Sequence, residues 1–148
     1  MAQKMNQKLT SILNQLMEKT DIFLAIVVDK NGLPIHSLDK KTGKALKDEP
    51  EVLAAGISSS MLSLAVKSPA MINIDSGEFN QMLIQSKKSM IIIREAGDTA
   101  IILVAVPASA SLGITLLALK KSGSDIAKLS LGPKKVKKDL DFTLPSFK

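Results

Sequence analysis

Residues 79–106 read FNQMLIQSKKSMIIIREAGDTAIILVAV, and the fold turns on how this stretch is parsed. It contains three apolar runs, Phe79–Gln85, Met90–Ile93 and Ala100–Val106, separated by Ser86-Lys87-Lys88-Ser89 and by Ala96-Gly97-Asp98. Short runs rich in Ile and Val with brief polar breaks are strands joined by hairpins, so an antiparallel meander is predicted. Met90-Ile91-Ile92-Ile93 and Ile101-Ile102-Leu103-Val104 are apolar at every position. Neighbouring strand side chains point to opposite faces, so these two strands need cover on both sides. Flanking helices must provide it.

Working outward, residues 3–19 place Met5, Leu9, Ile12, Leu13, Leu16 and Met17 at helical spacing, one face of a covering helix. Residues 22–28, IFLAIVV, form a buried central strand. Asn31-Gly32 marks a tight hairpin turn. Leu33–Leu38 pairs back, with Pro34 at its start, where an edge tolerates the missing N–H. Residues 39–49 are a charged loop, and Asp48-Glu49-Pro50 opens a helix over 51–67. That helix is apolar nearly all round (Val52, Leu53, Ala55, Ile57, Met61, Leu62, Val66), with small residues filling the remainder. A helix apolar on more than one face needs burial on more than one face. A last helix is expected from Pro107 to about Lys121, with Leu112, Leu116, Leu117 and Leu119 inward, broken at Gly123 or extended one turn from Ser124.

The predicted class is α+β: one antiparallel-rich five-stranded sheet with helices on both faces, in the order αββαβββα. Residues 1–131 form the domain and 132–148 a basic and apolar tail. That tail holds Lys134-Lys135-Val136-Lys137-Lys138, then Leu140, Phe142, Leu144 and Phe147.

Composition excludes several functions. The chain has 148 residues, a net charge of +6 and no Cys, so disulfides and thiolate metal sites are ruled out, as suits a reducing cytoplasm. The opening MAQKMNQKLTSIL lacks an apolar core segment, and no secretory leader is expected. Residues 99–119 are uncharged but broken by Pro107, Ser109, Ser111 and Gly113, so no membrane span is expected. With no Trp or Tyr and four Phe, there is no platform for stacking bases, which argues against nucleic acid. Phosphate-binding glycine loops are missing, and no cofactor or metal is expected. The one histidine, His36, sits in a strand and is given a structural role. Arg94, the one arginine, precedes Glu95 at a strand end; a stiff backbone there suits local pairing better than service as an arginine finger. No catalytic residue is assigned.

The element order, the hairpin VVDKNGLPI, the small-residue helix EVLAAGISSSMLSLA and the closing SMIIIREAGDTAIILVAV together resemble the Roadblock family over about residues 3–128. That family includes dynein light chains, Ragulator roadblock subunits and prokaryotic regulators of Ras-like GTPases. The resemblance implies a homodimer in which the strand at 79–85 pairs with its copy and the helix at 51–67 lies beside its twin. It implies a non-enzymatic platform for a small Ras-like GTPase, or else a scaffold subunit without effect on hydrolysis. The interface residues expected are Ala55, Ser58, Ser59, Leu62, Val66, Phe79, Gln81 and Leu83. Tail contacts with an anionic membrane or acidic partner would involve Lys134, Lys135, Lys137, Lys138 and Phe142. Nothing of the family carries over to the tail.

Overall fold

A computed structural model describes residues 2–44, 56, 60–61 and 81–129. Helix α1 spans Ala2–Lys19 and is followed by strands β1 (Leu24–Asp29) and β2 (Pro34–Asp39). Strands β3 (Gln81–Gln85), β4 (Ser89–Ala96) and β5 (Ala100–Pro107) lead into helix α2 (Leu112–Ala127). The strands form one five-stranded sheet in the order β2-β1-β5-β4-β3, with every pairing antiparallel. The two runs apolar at every position became its inner strands, and β5 is buried from Ala100 to Val106.

Both faces of the sheet carry apolar side chains. Under α1 and α2, Ala25, Val27, Ile92, Ile102 and Val104 meet Leu9, Leu13, Leu16, Leu119 and Ile126. Fully burying each such Leu or Ile contributes about 1.5–3 kcal/mol. The opposite face carries Ile26, Val28, Ile93, Ile101 and Leu103, with Met61 packed against it. Gly56, Ser60 and Met61 are helical; Ser60 is exposed while Met61 is partly buried. The remainder of the helix expected over 51–67 lies outside the described residues.

The β1–β2 turn shows why its sequence is as it is. Gly32 has φ 89°, a conformation that costs a glycine little. The buried Asp29 carboxylate accepts from the backbone N–H of Asn31 and of Leu33, both at 2.9 Å. Replacing Asp29 by Ala is expected to lose about 1–3 kcal/mol, because two donors are orphaned in a part-buried turn. Asp29→Asn, which keeps an acceptor oxygen, should lose less. Urea unfolding of the two variants checks this, and equal losses would count against the capping role.

Three expectations are corrected. Strand β4 does not end at Arg94 but continues to Ala96. Its charged residues stay in the strand because each has a partner: Arg94 donates to Gln81 Oε1 at 2.7 Å, and Glu95 pairs with Lys30 at 3.3 Å. Helix α2 begins at Leu112 rather than Pro107, since Ser111 takes the N-cap and accepts from Ile114 N. It then passes through Gly123 without breaking. There a Cβ would lie 3.7 Å from Glu95 O and 4.0 Å from Ala96 Cα, ordinary contact distances, so Gly123 faces the sheet inside the helix.

The inward face of α2 also differs from expectation. Thr115, Leu119, Ser122, Gly123 and Ile126 are buried, whereas Leu112 and Leu117 point out. Small residues at the sheet contact let the helix sit low, and this rotates the leucines away. Among the described residues, no helix is long and apolar enough to cross a membrane.

Candidate functional site

The two edges of the sheet are unlike. At the β2 edge, Pro34 has no N–H to offer, and the pairing slips between Val27 and Val28. At its other end the chain turns back, so that Asp39 N donates to Lys44 O at 2.8 Å. Lys44 thereby occupies the outer side of β2. An incoming strand meets an interruption at one end of this edge and an occupied position at the other.

Strand β3 has none of these protections among the described residues. It pairs with β4 alone, in unbroken register from Gln81↔Arg94 to Gln85↔Met90. Gln81, Leu83 and Gln85 share the face under α1 and α2, while Met82 and Ile84 share the opposite one. Leu83, at the middle of the strand, is 37% exposed. An uncharged, regular edge strand with an exposed Leu is a template for pairing with another chain.

Of the expected interface residues, Gln81 and Leu83 thus lie together on this edge. Ala55, Ser58, Ser59, Leu62, Val66 and Phe79 lie outside the described residues, as do Lys134, Lys135, Lys137, Lys138 and Phe142. Gln81 is further tied down by Arg94, whose guanidinium spans from β4 to β3. Arg94 Nε also comes within 4.0 Å of where a Cβ on Gly123 would sit, so the side chain is held between the edge strand and α2. His36 Nε2 is 2.8 Å from Thr10 Oγ1, a hydrogen bond that ties β2 to α1.

Sequence reading missed the Asp29 cap and the contrast between the edges. The second could have been traced through Pro34, but the return of Lys44 onto β2 has no local sequence signal. Among the described residues, no three His, Asp or Glu side chains gather as a metal site would require.

The Roadblock/LC7 domain pattern matches residues 8–105, more than half of the sequence, and the chain belongs to that family. Solved structures with this fold include the gliding protein MglB from Thermus thermophilus, at TM-score 0.72 and 17% identity over 84% of this chain and 90% of that one. MglB from Myxococcus xanthus is similar at TM-score 0.70 and 19% identity, over 82% and 94% of the two chains. A Roadblock/LC7 domain from Streptomyces avermitilis gives 0.70 and 14%, over 80% and 94%. At such identities the likeness concerns the fold alone. No curated protein matches the sequence.

Proposed function

We propose that this chain is a homodimeric, non-enzymatic platform that binds a small Ras-like GTPase and alters its nucleotide cycle or location. Membership of the Roadblock/LC7 family supports a regulatory role over catalysis. The observation that carries the dimer is the contrast between a guarded β2 and a β3 left open among the described residues. Pairing of β3 with its copy would extend the sheet across a two-fold axis, an isologous contact in which each subunit offers the same surface. The helix containing Gly56, Ser60 and Met61 would then lie beside its twin, which agrees with Met61 packing on the sheet while Ser60 faces out.

Light scattering of the purified chain should give twice its 15.8 kDa mass. A monomer persisting at high concentration would overturn the platform. GTP turnover of candidate Ras-like GTPases, measured with and without the chain, then tests regulation. Binding with unchanged turnover and exchange would leave a scaffold subunit in its place.

Arg94 enters this proposal as a structural residue. Its guanidinium already serves Gln81 at 2.7 Å on its own sheet, so insertion into another protein's active site would break that bond. Arg94→Ala is expected to keep full stimulation of a responsive GTPase, with a loss of about 1 kcal/mol in stability. Complete loss of stimulation in a folded Arg94→Ala dimer would instead make it a finger.

A further inference from the structure

The sheet gathers several connections at one of its two ends. Leu24 pairs with both Asp39 and Ala105, and Ser89 with Pro107, so β1 and β4 start where β2 and β5 finish. Backbone bonds carry the row past the strands: Lys40 N donates to Phe23 O, and Ala108 N to Lys88 O, both at 3.0 Å. Helix α1 ends here and α2 begins here, and the two share the walls of one groove. With strands about 4.8 Å apart, the row from β2 to β3 is roughly 19 Å wide.

Charge is divided between the two ends. Among the described residues, this one carries Lys19, Lys40, Lys41, Lys44, Lys87 and Lys88, all exposed, against Glu18, Asp21 and Asp39. At the far end Asp29, Glu95, Asp98 and Asp125 outnumber Lys30 and Lys128. None of the six lysines is in an ion pair with another described residue; the pair that forms, Lys30–Glu95, lies at the far end. The first turn of α2 holds no acidic residue, so its dipole adds positive potential to the same end. Amid these charges Phe23 is 41% exposed, Leu112 37% and Ile114 58%. Phe23 precedes β1, between the lysines that follow β2 and those of the β3–β4 turn.

We propose that this end of the domain docks on an anionic lipid bilayer. Phe23, Leu112 and Ile114 enter the headgroup region while the surrounding lysines meet lipid phosphates and carboxylates. A bound acidic peptide fits less well, because Glu18 and Asp21 line the groove and would repel it. Lysines spread over several connections, around apolar side chains of different elements, instead suit a broad surface that adapts to them. Docking does not require the dimer. Antiparallel pairing of β3 with its copy would point the two such ends in opposite directions, and a bilayer would meet them one at a time.

The chain has no Trp, so Phe23→Trp and Leu33→Trp each place a single fluorophore at one end. Vesicles of one part phosphatidylserine to three parts phosphatidylcholine should shift the emission of full-length Phe23→Trp several nanometres to the blue. Leu33→Trp, at a position 60% exposed in the far turn, should not move. Phosphatidylcholine alone, or about 0.5 M salt, should abolish the shift. Each lysine lost near an anionic surface weakens binding about fivefold, so Lys87→Glu with Lys88→Glu should weaken it tenfold or more. Lys120→Glu with Lys121→Glu, the same charge change at exposed positions on α2, should weaken it less than about threefold. Failure of Phe23→Trp to shift, whether or not the chain sediments with the vesicles, would overturn the proposal. Equal shifts at the two fluorophores, or equal losses from the two lysine pairs, would overturn it as well.

Discussion

Gly97→Ala is expected to cost about 3 kcal/mol, a large part of the roughly 5–15 kcal/mol that holds a domain together. Two independent effects add. Gly97 has φ +78°, and a side chain in that left-handed region costs roughly 1–2 kcal/mol. The new Cβ would also stand 2.6 Å from Ala127 Cβ and 3.1 Å from Ala127 Cα, so the β4–β5 turn and the last turn of α2 would have to part. Overpacking of this kind costs about 1–3 kcal/mol. Ala127→Gly in the same chain removes the closest contact but leaves the backbone penalty. The double variant should therefore lose about 1–2 kcal/mol less than the two single losses added together. Urea unfolding of all four proteins measures this coupling, and strict additivity would show that the turn and the helix do not press on each other.

Leu83→Lys is expected to weaken self-association on the order of 100-fold or more, a change of about 2.7 kcal/mol in dimerisation. Leu83 is the middle residue of β3, and in the proposed dimer residues near the middle of the strand face their own copies. Two ammonium groups brought together there would repel by several kcal/mol. The fold itself should tolerate the change, because Leu83 is 37% exposed and a Lys stem can cover the same apolar surface while its charge reaches water. Sedimentation across a concentration series gives the dissociation constant. Leu117→Lys, on α2, serves as the matched control and should leave it unchanged. If Leu83→Lys dimerised as tightly as the parent, β3 would not be the contact.

Residues 90–93 and 100–106 were legible because an uninterrupted apolar run rich in Ile, Leu and Val has few places to go except the middle of a sheet. The first helix was legible for a similar reason: Leu9, Leu13 and Leu16 repeat at helical spacing and are all buried. What stayed hidden depended on contacts distant in sequence. Nothing near Arg94 or Glu95 announces that Gln81 and Lys30 wait across the sheet to keep them in a strand. Gly123 reads locally as a helix breaker, and only the approach of Glu95 and Ala96 shows it to be a packing residue. The leucines of α2 misled for the same reason. Size suggested that they faced inward, but a sheet surface this close accepts Thr115, Ser122 and Gly123 more readily. Of the candidate interface, Gln81 and Leu83 could be placed on the outer strand from the meander alone. That its rival edge is blocked could not.

That blockage bears on how many copies can join. A sheet with two receptive borders can add neighbours without end, as fibrils do. Here Pro34, the slipped pairing and Lys44 close one border, and among the described residues only the other stays receptive. In the proposed dimer, strand joining would then satisfy itself at the first meeting and give couples rather than ribbons.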